Sequence, residues 1–357
     1  GLLVAAIALL VFLILFQQAL QTSLLTSFVG AIRNQSAPVL VYSTDGQRTL
    51  QASALTPDLE ALARQAPAVG EAGRIGQGTF SVTAGGDITE AAIIGYETVG
   101  LGSPTGLTEG RLPERAGEAV ASEADAADGF DVGDVVTVEP GGYELTVVGL
   151  ARDAQLQVTA TMFVTYDSYL DAVAARNPDA GEPLPNALGV APAQGSTADG
   201  VVAAINDSSD DLEALTRNDA ADRAPGVAQV QQSFRVIFLL YGLVVPFVTG
   251  LFFLIVSVQK ENAIALLRAI GAPGRRLVTS LVTQVVIVLG LGLAVGVACF
   301  GALTLADTTS LSLRFDVTTV LAWCAVLLVL GVISSMLSAR RVLAIDPISA
   351  TTMAGLR

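Results

Sequence analysis

Few side chains in these 357 residues can do chemistry. The chain carries 33 Asp and Glu, 18 Arg, one Lys, two Cys and no His. Without histidine there is no Ser-His-Asp triad and no His-ligated metal. Cys299 and Cys324 both sit in long uncharged runs and form no CxxC pair. Neither a disulfide framework nor a zinc site is therefore expected, and both read as packing residues. What remains is acid–base work by paired carboxylates, and no spacing singles out a pair. The densest acidic run, residues 207–213 (DSSDDLE), lacks the glycine and the ligand spacing of a calcium loop and reads as a solvated loop. The only lysine, Lys260, follows an apolar run, and no G-x-x-x-x-G-K-[ST] occurs. The chain therefore has no phosphate cradle for hydrolysing ATP itself. The residues predict no enzyme, and no catalytic, cofactor-binding or metal site in this chain.

The apolar residues carry the stronger signal. They make up 52% of the chain, and the mean hydropathy is +0.61. They gather in four uncharged blocks: 1–16, 236–258 (between Arg235 and Lys260), 277–306 and 317–338. A span needs about 20 apolar residues at about 1.5 Å each, which blocks two to four supply. Block one is shorter and opens at Gly1 instead of Met, so residues are expected to precede it. It has no basic flank and no A-x-A site, as a signal peptide would. Instead the pattern continues through Leu20, Leu24, Leu25, Phe28 and Ile32 at helical spacing. It reads as a first transmembrane helix, with residues 17–34 as its outer stalk.

Orientation follows the basic residues. Between blocks two and three, Lys260, Arg268, Arg275 and Arg276 face a single acid, Glu261. The tail, 339–357, holds Arg340, Arg341 and Arg357 against Asp346. Both segments, and hence both termini, should be cytoplasmic. Residues 17–235 hold 11 Arg and 29 acids, a net of −18, and should lie outside. So acidic a segment excludes nucleic acid as a partner. The fold class expected is an integral membrane protein with four transmembrane α-helices and an extracytoplasmic α+β domain inserted between the first and second. The domain spans 35–225, a second stalk and span 226–258, and a cytoplasmic helix 259–276. Within the domain, strands are expected at 38–43, 91–94, 119–122, 135–139, 144–150 and 162–165. Helices are expected from the Thr56-Pro57 cap to Pro67, and at 167–176 and 197–206. Pro140-Gly141-Gly142 marks a hairpin turn, and residues 207–225 read as a loose polar return to the membrane.

Residues 260–277 (KENAIALLRAIGAPGRRL) read as a short amphipathic helix. Ile264, Leu266, Leu267 and Ile270 make an apolar stripe, Gly271 suits the C-terminal cap, and Pro273 stops continuation. Such a segment either docks on a partner or the membrane surface, or is a plain basic loop that fixes topology. In the spans, Gly292 and Gly296 form a G-x-x-x-G suited to a close helix contact. Pro246 can kink the second span. No ionisable residue interrupts any span, which argues against an ion channel or a proton-coupled pump.

Several of these motifs, in this order, resemble the MacB/FtsX-like permeases of type VII ABC transporters. They are ALLRAIGA at 265–272, ARRVLAIDPISA at 339–350, PDLEALARQAPAV at 57–69, LTEGRLPERAGEAVAS at 107–122 and FDVGDVVTVEPGGYELTVVGL at 130–150. The acid that often precedes the apolar pair of the family's coupling helix is Ala263 here, with Glu261 nearby. The resemblance implies an ATPase-coupling interface at Glu261, Ile264, Leu266, Leu267, Arg268, Ile270, Gly271 and Pro273. It implies a tail contact at Arg340, Arg341 and Asp346. It further implies a separate ATP-binding subunit holding ATP and Mg, a second permease copy or paralogue, and residence in the bacterial cytoplasmic (inner) membrane. The role implied is mechanotransmission for export or extraction of a hydrophobic or peptidic substrate. The alternative is a non-transporting FtsX-like regulator that drives an extracytoplasmic partner such as a cell-wall hydrolase.

Overall fold

A computed structural model describes residues 2–179, 181–259, 274–305 and 316–343. The chain divides into two compact units, 1–23 with 232–357, and 24–231.

The first unit is helical. It contains the N-terminal part of α1 (Leu2–Arg33), most of α6 (Val227–Gln259), and α7 (Gly274–Leu305) and α8 (Val317–Leu343). Ile7, Val11, Ile14 and Leu15 of α1 pack with Leu289, Leu293 and Phe300 of α7 and with Val320 and Leu327 of α8. On α6, Phe238 lies against Trp323 of α8, with ring centroids 5.1 Å apart. Leu239 and Phe247 of the same helix are 73% and 69% exposed. An outward face this apolar belongs in lipid or against another apolar surface. Among the described residues, three helices are long and apolar enough to cross a membrane, Leu3–Arg33, Val227–Val248 and Val286–Leu305, and Val317–Leu330 is a shorter apolar helix.

The second unit is built on ten strands: β1 (Val39–Ser43), β2 (Val69–Ala84), β3 (Asp87–Tyr96), β4 (Leu107–Gly110), β5 (Glu118–Ser122), β6 (Val135–Glu139), β7 (Tyr143–Ala151), β8 (Ala160–Thr165), β9 (Ala187–Pro192) and β10 (Leu212–Thr216). Four short helices accompany them: α2 (Pro57–Gln65), α3 (Tyr166–Arg176), α4 (Ala198–Asn206) and α5 (Arg217–Asp222). The strand order is β10-β1-β9-β2-β3-β8-β5-β7-β4, and β6 bonds to both β2 and β7. Strands β2, β3, β8, β5, β7 and β6 therefore close into a six-stranded ring. Strand β2 can serve two sheets because it is long. One of its edges pairs with β9 from Val69 to Ile75, then with β6 from Ser81 to Thr83.

The period of two along each strand separates two cores. Phe80, Val82, Ile93, Val136, Leu145 and Met162 fill the ring. The alternate residues Ile94, Tyr96, Val120 and Phe163 turn outward into a second cluster, which receives Val29, Ala31 and Ile32 from the end of α1. A third cluster lies between the far face of β1, β9 and β10 and helices α2 and α4. All four of these helices start as capping chemistry dictates. Thr56, Thr165, Thr197 and Thr216 each accept a backbone N–H at the N-cap of α2, α3, α4 and α5.

The hairpin expected around residues 140–142 joins β6 to β7, with Val135 opposite Thr146 and Val138 opposite Tyr143. Four strands, β2, β4, β9 and β10, were not expected from the sequence. Strand β2, the longest, is too glycine-rich (VGEAGRIGQGTFSVTA) to read as one. The stretch 207–225 is not loose, because it contains β10 and α5. Glu213, from the acidic run, lies on β10 and pairs with Arg48 at 2.7 Å.

Glycine in β2 has a packing reason. Gly76 and Gly95 are cross-strand partners, and Tyr169 of α3 lies directly on both, so a Cβ at either would collide with its side chain. The Tyr169 hydroxyl donates to the Gln77 carbonyl at 3.3 Å, so the ring cannot simply move away. Gly95→Ala should therefore cost about 1–3 kcal/mol, the usual penalty for overpacking a filled core. Chemical denaturation of wild type and variant checks this; an unchanged midpoint would mean that Tyr169 repacks freely.

Candidate functional site

The described residues locate part of the coupling apparatus expected from sequence. Glu261, Ile264, Leu266, Leu267, Arg268, Ile270, Gly271, Pro273 and Asp346 lie outside them. Arg340 and Arg341 fall near the C-terminal end of α8. Gly292 and Gly296 lie on α7 where it meets α1. A Cβ at Gly292 would stand 2.5 Å from Cγ2 of Ile7, and one at Gly296 would stand 2.8 Å from the Ala8 carbonyl oxygen. The two helix backbones approach closely because neither glycine has a side chain.

The most elaborate junction in the domain is one that sequence reasoning missed. Helix α1 runs unbroken from Leu2 to Arg33, and its last turn is sewn to the segment that follows β7. The Ala31 N–H donates to the Gln155 carbonyl, Gln157 N–H to the Phe28 carbonyl and Val158 N–H to the Ser27 carbonyl, each at 2.9 Å. The Asn34 side-chain amide donates to the Asp153 carbonyl at 2.8 Å. To wrap the helix so tightly, Asp153, Gln157 and Val158 adopt positive φ angles of 54°, 53° and 60°, a conformation that costs a non-glycine residue energy. Gly30 makes the approach possible, since a Cβ there would collide with the Asp153 carbonyl.

The root of α6 is fixed beside that of α1. Arg33 pairs with Asp222 of α5, although both side chains are about half exposed, so the pair is worth about 0–1 kcal/mol. Arg217 does more. Its guanidinium donates to the Gln35 carbonyl at 2.8 Å and its N–H to the Pro38 carbonyl at 3.0 Å. Val227, the first residue of α6, is fully buried in the same cluster as Val29 and Ile32.

One buried acid supports the wrapping segment. Asp125 is 5% exposed and accepts from the Gln155 side-chain amide at 2.5 Å and from the Thr161 N–H at 3.1 Å. Burial pushes its carboxyl up to about 6, against the pull of those two hydrogen bonds, and the nearby Asp128 adds to the rise. The free-residue value is 3.8, so the folded state holds the proton more tightly than the unfolded chain. The resulting stabilisation is complete below that value and is lost as pH rises through about 6.

No protein-family model matches the chain. Among the described residues are helices long and apolar enough to cross a membrane, and the named relatives are permeases. HrtB of Staphylococcus haemolyticus, named as a hemin transport system permease protein, is 22% identical over 267 residues, 71% of this chain and 70% of the relative. Rv2563 of Mycobacterium tuberculosis, named as an uncharacterized ABC transporter permease, is 25% identical over 292 residues, 81% of this chain and 76% of the relative. The chain is thus similar to permease subunits of ABC transporters. Among solved structures, the periplasmic region of MacB from Actinobacillus actinomycetemcomitans aligns with 52% of this chain and 92% of its own, at 13% identity and a TM-score of 0.38, too loose a likeness to reason from.

Two outcomes follow. An ordinary Gly→Ala change inside a helix gains about 1 kcal/mol, whereas Gly30→Ala should lose about 1–3 kcal/mol by forcing the wrapping segment away. Hydrogen exchange at the Gln157 and Val158 amides should rise in the same variant, and a stabilised protein with unchanged exchange would refute the sewn junction. For Asp125, wild-type unfolding should occur at a lower temperature at about pH 7 than at about pH 5, and Asp125→Asn should flatten that difference.

Proposed function

We propose that this chain is the membrane subunit that converts ATP hydrolysis in a separate ATP-binding subunit into motion of its large domain. In this reading the domain faces away from the cytoplasm, and both termini and residues 259–276 face the ATPase. ATP and Mg belong to that partner. Two membrane subunits, identical or paralogous, would complete the assembly. The observation that carries the reading is the root of α1. A single helix of 32 residues is joined to its domain by backbone hydrogen bonds, each worth about 0.5–1.5 kcal/mol, in addition to a buried apolar face. A flexible tether has no need of such a joint, whereas an element that transmits force does.

The work done is export or extraction of a hydrophobic or peptidic substrate. The hemin named for one relative belongs to that broad class. The absence of ionisable residues from the four apolar blocks supports motion over a charged pathway through the bilayer.

The test is co-purification from native membranes in mild detergent, with an ATPase assay on the product. A stoichiometric ATP-binding chain should accompany the wild type and be lost when Leu267 and Arg268 are both changed to Asp. Gly30→Ala should leave that chain bound while uncoupling substrate export from ATP turnover. If no ATPase is recovered under conditions that preserve other such transporters, the reading fails.

A further inference from the structure

Between the roots of the two long helices and the body of the domain lies a cavity of about 180 Å³. Phe28 and Ile32 of α1 form one wall, Leu50 and Leu156 another, and Pro225, just before α6, a third. This is more room than the engineered apolar cavity of about 150 Å³ that accepts benzene. Gln77 of β2 also lines it, as do the polar residues Thr49, Gln51 and Gln157. Gln77 is only 4% exposed, and its Oε1 is buried with no hydrogen-bond partner among the described residues. Leaving such an atom unpaired is costly. Arg48 is the charged residue of the lining, and its guanidinium is already engaged by Glu213 at 2.7 Å, so nothing here calls for an anion. Two lining residues, Arg48 and Gln157, hold positive φ angles of 65° and 53°, and strain of this kind collects at binding sites.

We infer that this cavity is a binding site for a compact, neutral, apolar molecule carrying one hydroxyl. The apolar walls take the body of the ligand, and the Gln77 carboxamide takes the hydroxyl, which can donate to its oxygen or accept from its nitrogen. The occupant would touch α1 directly and the turn into α6 directly, so its presence would be felt at both helix roots. The inference does not depend on the ATPase-coupling reading.

The experiment uses the full chain in lipid nanodiscs and a diazirine-bearing phenol as photoprobe, with labelled peptides mapped by mass spectrometry. Labelling is expected on the peptides containing Leu50 and Leu156. It should be competed about tenfold better by p-cresol than by p-xylene at equal free aqueous concentration, the ratio for about 1.4 kcal/mol from one hydrogen bond. Gln77→Leu should abolish that preference while leaving the site labelled, and Leu50→Trp, which fills the cavity, should abolish labelling. Wild-type-like unfolding midpoints show that both variants fold. Labelling confined to the membrane helices, as for a cavity that holds only water, would overturn the inference. So would equal competition by the two compounds on wild type.

Discussion

Everything in the 24–231 unit is arranged around one awkward requirement: the end of a helix must be buried without leaving its polar backbone stranded. Over its last two turns α1 exchanges backbone hydrogen bonds with the segment after β7: the Ala31 N–H is donated to the Gln155 carbonyl, and the segment's own N–H groups are donated to the carbonyls of Ser27 and Phe28. That solution dictates much else. It demands Gly30, since a side chain would hold the segment off. It demands left-handed backbone at three non-glycine positions. It also needs an anchor behind the segment, which Asp125 provides from inside the fold at the cost of a buried charge.

The sheet meets the same requirement on a larger scale. Strands β3, β5 and β8 are buried on both faces, one turned into the ring and the other onto the helix roots. A strand with only one apolar face could close the ring or support α1, but not do both. This explains why residues 91–96 and 160–165 carry near-continuous small and apolar side chains where alternation would be expected of a solvent-facing sheet.

Legibility in the sequence tracked how local each signal was. The Thr56 cap and the β6–β7 hairpin were readable because their causes lie within a few residues. Strand β2 was not. Its glycines lower strand propensity, and the reason for one of them, Gly76, is Tyr169, some ninety residues away on α3. Strand β10 was hidden by the acidic run before it. Nothing in EADAAD marks Asp125 as buried, because burial is a property of the fold and not of the neighbours in sequence. Gly30 did leave a trace, a glycine inside an apolar helix, where it costs about 1 kcal/mol unless something needs the space. The resemblance to the permease class was legible from motifs along the whole chain. The segment that would touch an ATPase, residues 260–273, stands on that resemblance.

Strand β1, at residues 39–43, is bonded on one side to β9 and on the other to β10, at residues 212–216. Its partners are thus among the last residues of the domain to leave the ribosome. Contacts of such long sequence separation form slowly, and until they form, β1 exposes two unpaired edges of an apolar strand. The chain therefore passes through an interval during synthesis when its first strand is made and its closing strand is not. In that interval the strand is a target for mispairing or for a chaperone, and biogenesis, not only function, constrains how acidic and soluble the intervening residues must be.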